Sequence, residues 1–133
     1  MYKIFEIFIP ITPRPWKVIR GKYSFYNVNQ FYIDHVRKII AHEFKQNPSC
    51  KPIKISFVHI LPYTKIQLNQ LKKNPDYKTL QHIKRPDVTN LNKQMEDVMT
   101  GIVYADDRQV VEISGKKIYG LDQGTKIEVY EIN

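Results

Sequence analysis

Arg85 to Val110, RPDVTNLNKQMEDVMTGIVYADDRQV, is the stretch whose pattern decides the fold. A helix from Asn90 to Thr100 would place Leu91, Met95 and Val98 within about 60° of one another, as an apolar stripe. Asn90, Lys93 and Asp97 also fall within about 60° of one another, on the opposite side. One side of this helix is built to pack. The other presents an amide, an ammonium and a carboxylate in a column. Gly101 suits the helix C-terminus. Asp87 stands just before the helix, and Asp106-Asp107 opens the next extended segment. A helix leading out and a strand coming back would bring Asp107 toward Asp87.

Upstream, Lys3–Ile9 alternates and is rich in aromatic and β-branched residues, the signature of a strand. Pro10, Pro13 and Pro15 end it, and a basic, aromatic loop follows. Asn27 or Asn29 can cap a helix running to about Gln46, with Ile33, Val36, Ile40 and Phe44 on one face. Pro52–Leu61 alternates as a second strand. Tyr63–Lys84 is polar and lysine-rich, a mobile excursion in which Ile66–Lys73 forms a helical turn or two. Downstream, Arg108–Tyr119 and Thr125–Ile132 read as paired strands around residues 120–124, with a bulge at Gly115. The order β-α-β-α-β-β predicts an α/β (α+β) fold: one domain over residues 1–133, a small mixed sheet and two main helices.

With 133 residues, the chain suits one compact core. No apolar run approaches the roughly 20 residues that cross a bilayer, so no membrane is expected. The N-terminus is too short and too charged for a signal peptide. The single cysteine, Cys50, excludes an internal disulfide and a Cys-based zinc site, and reads as a partly buried thiol. A cytoplasmic protein is the expectation. His35, His42, His59 and His82 show no ligand spacing, and His35 and His42 read as surface or boundary residues.

Charge is unevenly spread. The chain carries +8 overall, whereas residues 1–85 hold 16 Lys/Arg against Glu6, Asp34, Glu43 and Asp76. Residues 86–112 hold six of the 13 acids. A basic body suits a polyanion, nucleic acid above all. Clustered carboxylates repel unless a cation or proton joins them. Mg2+ is hard, prefers oxygen, and is usually held by one or two carboxylates plus phosphate and water. Such a metal polarises a phosphodiester, and a nearby lysine stabilises the charge that builds up. Each residue also has a plainer use. Asp87, Thr89 or Asn90 can be an N-cap, Lys93 and Asp97 an i,i+4 ion pair, and Asp106-Asp107 a turn.

The segment as a whole resembles the RusA-type Holliday junction resolvases. Their pattern is a P-D-x-D-N-L-x-K run, an Asp four residues after the Lys, and a D-D pair opening a strand. Pro86, Asp87, Asn90, Leu91, Lys93, Asp97, Gly101, Asp106 and Asp107 match it. The resemblance implies Mg2+-dependent cleavage of four-way DNA junctions by a homodimer, with Mn2+ able to substitute and no small-molecule cofactor. It implies Asp87 and Asp107 as metal ligands and Lys93 as the catalytic lysine. Asp106, a further candidate ligand, and Asp97 match positions that shape the site, beside Asn90. It also points to a phage or bacterial origin. Thr89 departs from the pattern, which has an aspartate there. Threonine keeps an oxygen and loses the charge. Either Asp97 or Asp106 supplies the missing charge, or activity is weak or prefers Mn2+, or cleavage is lost while DNA binding remains.

The expected DNA surface is Arg14, Lys17, Arg20 and Lys22 in the first loop, with Lys72, Lys73, Lys84 and Arg85 before the acidic segment. Lysines there neutralise phosphates, so binding should weaken with salt. Trp16, Tyr23, Phe25 and Tyr26 either stack on unpaired bases or, more simply, pack on the sheet.

Overall fold

A computed structural model describes residues 1–16, 18–20, 25–27, 29–78 and 81–133, with backbone alone for 18–20 and 25–27. Six strands and three helices follow one another as β1 (Tyr2–Ile9), β2 (Val18–Arg20), β3 (Phe25–Asn27), α1 (Gln30–Glu43), β4 (Ile53–Pro62), α2 (Lys65–Lys73), α3 (Val88–Met99), β5 (Val110–Gly120) and β6 (Gly124–Glu131). Alternation makes β4 a central strand. Ile53, Ile55, Phe57, His59 and Leu61 are buried on one face, while Lys54, Ser56, Val58 and Ile60 are partly exposed on the other.

The main sheet has the order β1-β6-β4-β5. β6 runs antiparallel to both β1 and β4, and β4 runs parallel to β5. Parallel neighbours need a crossover of a dozen residues or more. Residues 63–109 supply it, and they carry α2 and α3. Tyr32, Val36 and Ile40 of α1 and Met95, Val98 and Met99 of α3 join Phe57, Ile127 and Val129 of the sheet in one apolar core. The fold is therefore a small mixed α/β layer pair in which two helices make the core. The third, α2, buries no residue. Among the described residues no helix is long and apolar enough to cross a membrane.

Three local expectations are corrected. The last two strands are not paired with each other, because β4 lies between them. Residues 121–123 instead carry the chain past the Pro62 end of β4, from one of its neighbours to the other. Two strand spacings are about 10 Å, and the four Cα steps from Gly120 to Gly124 reach about 13 Å, so three connecting residues suffice. Gly115 is no bulge. It sits in register opposite Phe57, and the irregularity falls at Ile53/Lys54. What requires glycine there is Asn92: a Cβ on Gly115 would meet Asn92 Oδ1 at 2.5 Å. The helical turns expected at Ile66–Lys73 form α2, started by a capping box between Thr64 and Gln67. Cys50 is exposed rather than partly buried. The first loop also contains a small antiparallel pair, β2 with β3, that its composition did not announce.

Candidate active site on the polar face of α3

α3 begins two residues earlier than its apolar stripe suggests, with Asp87 at the N-cap position. Asp87 makes no side-chain cap bond, so its exposed carboxylate is not consumed by the helix start. Thr89 and Asn90 are the second and third helical residues, not caps, and Thr89 is exposed. The helix ends at Thr100, with Gly101 beyond it at φ 85°, the left-handed conformation that glycine adopts without strain. Arg37 of α1 closes this end. Its Nη1 donates to the carbonyls of Val98 (2.9 Å), Thr100 (3.2 Å) and Asp97 (3.3 Å). A cation there also complements the helix dipole.

Trp16 covers part of the polar column. Its backbone N–H donates to Asn90 O at 2.9 Å. The Lys93 ammonium sits over its ring, 3.6 Å from the centroid. Trp16 also works slightly against the burial that raises the Asp97 pKa. Lys93 and Asp97 attract each other, but they form no ion pair; the lysine rests on the indole instead.

Asp107 approaches the same column from the strand side. Burial raises the Glu96 and Asp97 pKa values above the ordinary carboxylate range. The Asp107 charge pushes both further up, and Lys93 pulls both back. The structure thus brings Lys93, Asp97, Glu96 and Asp107 into one electrostatic group around the lower half of the column. Asp87 lies ten residues up the helix from Asp97, about 15 Å along the axis.

Asp106 is otherwise engaged. It caps the single 3-10 turn Asp107–Gln109, accepting from Arg108 N at 2.9 Å, and its other oxygen accepts from Arg108 Nη2 at 2.9 Å. These bonds hold its pKa down at about 2. Gln109 fixes the same corner by donating to the carbonyls of Ser49 (2.8 Å) and Lys51 (2.9 Å).

Two supports lie beneath the column. Lys117 of β5 donates to Lys84 O (2.6 Å) and Pro86 O (2.9 Å), pinning the segment that delivers Asp87. His59 of β4 is fully buried under α3. Its Nε2 is 2.8 Å from Asn92 Oδ1 and its Nδ1 is 3.2 Å from Thr125 Oγ1. The pairing sets the tautomer: Nε2–H donates to the amide oxygen, and Nδ1 accepts the threonine proton. Burial lowers the His59 pKa, and the Asn92 bond opposes that shift.

The upper half of the column opens into a cleft of about 350 Å³ lined by Pro15, Trp16, Arg85, Pro86, Asp87 and Asn90. A second cleft of about 540 Å³ shares Pro15, Arg85 and Pro86 with it and adds Arg14, Lys84 and Tyr119. Arg85 therefore lines both clefts, while Arg14 and Lys84 line the one next to the cleft of Asp87. Lys72 and Lys73 stand exposed in the last turn of α2. Lys17, Lys22 and Tyr23 lie outside the described residues, as do the side chains of Arg20, Phe25 and Tyr26.

Residues 10–130, nearly the whole chain, match the family model of endodeoxyribonuclease RusA. The chain belongs to the RusA endodeoxyribonuclease family. No curated protein matches it.

RusA nucleases act on four-way junctions and generally depend on a divalent metal. Among the described residues no three Asp, Glu, His or Cys side chains converge on one metal position. Mg2+ does not demand a protein cage, because water and phosphate oxygens complete its shell. A carboxylate whose proton affinity is raised by burial and by a second acid's charge is a donor that a hard cation would relieve. Asp97, under the Asp107 charge, meets that description, and Asp87 faces the cleft beside Arg85. From the sequence Trp16 is expected to stack on bases or pack on the sheet, whereas it lies against α3; Lys117 and the His59–Asn92 pair are not anticipated there either, since nothing local marks them as neighbours of α3. The only advance signal was weak: tryptophan among basic residues, and an asparagine on the apolar side of an amphipathic helix.

Proposed function

We propose that this RusA-family chain is a Mg2+-dependent endodeoxyribonuclease that resolves four-way DNA junctions by paired nicks, acting as a homodimer. Mn2+ is expected to substitute. The observation that supports the reading is the polar column of α3, Asn90-Lys93-Asp97, with the Asp107 charge acting on Asp97, Arg85 lining the cleft at its head, and Arg14 and Lys84 lining the adjoining cleft. Asp107 is the proposed anchor ligand. Asp97 beside it, or Asp87 at the head of the column, is the second. A bound Mg2+ would polarise the scissile phosphate and favour a hydroxide nucleophile. The basic border positions the strand by its phosphates. Lys93 offers its ammonium to the charge that develops on the phosphate or the leaving oxygen. The protein would act on DNA in the cytoplasm of a bacterium or a phage-infected cell.

The test is a labelled four-way junction with purified protein and Mg2+ or Mn2+. Absence of nicking with either metal, at protein concentrations that saturate binding, overturns the proposal. Asp107→Asn is expected to abolish cleavage while junction binding persists. Asp87→Asn and Asp97→Asn compared over a metal titration identify the second ligand, as the variant whose metal requirement rises.

Thr89 favours a second reading, a junction-binding protein with weak or no cleavage. It stands exposed on the first turn of α3, where the family pattern has an acid. Thr89→Asp separates the two. A gain in cleavage identifies a depleted site, whereas robust cleavage unchanged by the substitution shows that this acid is dispensable.

A further inference from the structure

We infer that Trp16 is the positioning residue for Lys93, holding the ammonium at a fixed place on the polar face of α3. The role rests on the nuclease reading above and extends it to a residue outside the acidic segment.

Two contacts join Trp16 to one face of one helix. Its backbone N–H bonds Asn90 O at 2.9 Å, and its ring carries the Lys93 ammonium at 3.6 Å. The residue before it is held as well, since Asn29 Nδ2 donates to Pro15 O at 2.7 Å. The backbone at Trp16 is thus fixed from both α1 and α3, and the ring is delivered onto the column rather than into the core. Trp16 has no place in the apolar core cluster, and it stays partly exposed.

Chemistry explains what the contact achieves. Lysine is a point charge on a flexible four-carbon stem. Lys93 is exposed, and Asp97 four residues on attracts it. Left alone, it would divide its time between Asp97 and solvent. The indole face attracts the cation through its quadrupole without neutralising it. One side chain therefore holds the ammonium off the neighbouring carboxylate and keeps the cation available for phosphate. A phosphate oxygen arriving at the column can then take Lys93 without breaking an ion pair.

Trp16 is the only tryptophan in the chain, so indole emission reports the surroundings of this one residue. Lys93→Met is expected to shift the emission, whereas Lys38→Met, at an exposed lysine of α1, is expected to leave it unchanged. An emission spectrum indifferent to Lys93→Met overturns the inference, whether or not the protein cuts DNA. Cleavage supplies the second arm, measured in single turnovers with protein saturating the junction. Trp16→Leu should slow the step roughly ten-fold at unchanged junction affinity. Trp16→Phe, which keeps an aromatic face, should slow it less. Trp16→Leu added to Lys93→Met should cost nothing further, because both changes remove one interaction. Weaker binding with an unchanged saturated rate would instead make Trp16 a DNA contact and overturn the positioning role. A wild-type protein that cuts no junction overturns the nuclease reading, and the emission arm still rules on the Trp16–Lys93 contact.

Discussion

Gly115 is small because Asn92 needs the space. The Asn92 amide reaches from α3 to the buried His59 ring, and the strand beside it must carry no side chain on that face. Gly115→Ala sets a methyl against an amide that cannot retreat without losing its 2.8 Å bond to His59. Overpacking of this kind costs about 1–3 kcal/mol. We expect the variant to melt at lower temperature with its fold retained, checked by thermal unfolding. An unchanged melting point would mean that the amide moves freely. From the sequence alone the position offered a different meaning, since glycine within a strand commonly marks a bulge. The true reason lies 23 positions away in the chain, in a helix, and no local pattern exposes it. By contrast, the Asn90, Lys93 and Asp97 column was legible, because helical spacing alone puts those residues on one side.

As elements, α1 and α3 depend on each other. Arg37 of α1 donates to three carbonyls at the end of α3, tying down the same turn that carries Asp97. Charged donors to otherwise unpaired carbonyls contribute about 1.5–3 kcal/mol. Arg37→Met should therefore lower unfolding free energy by about 2 kcal/mol, measured by urea titration, and should loosen the last turn of α3 to amide exchange before the first. Element types were readable where the pattern was strong. Strict alternation gave β4, and the apolar stripes gave α1 and α3. Pairing was less readable. A five-residue, glycine-bounded stretch between two strands resembles a hairpin loop, yet β5 and β6 flank β4. Nothing in residues 120–124 records that a third strand lies between the two they join. The helical turns expected at Ile66–Lys73 are α2, which starts one residue earlier behind a Thr64–Gln67 box and buries no side chain.

For the molecule as a whole, the buried His59 links stability to pH. Its folded pKa lies below the ordinary 6.5, chiefly through burial. The unfolded chain thus binds more protons than the folded one as the ring titrates. The stability gained from burying a neutral ring is complete above pH 6.5 and is lost as pH falls from there through the folded value. Partly exposed His82 shifts in the same direction, through burial and the Lys117 charge, and adds less. Melting temperature should decline below pH 6.5, and His59→Gln should flatten the decline. A wild-type profile without slope there would place the His59 ring in water.

The sheet order carries a consequence for synthesis. β6 is the bridge between β1 and β4, yet it is the last of the six strands to leave the ribosome. Until it emerges, β1 has no partner in the main sheet, and the apolar faces of β1, β4 and α1 have no complete surface to close on. Cooperative folding must therefore await nearly the whole described chain, since this contact joins the first strand to the last. A nascent chain stalled before Gly124 would hold Asp87, Lys93 and Asp107 in sequence but not in space. The acidic column would then be assembled only after translation has passed β6.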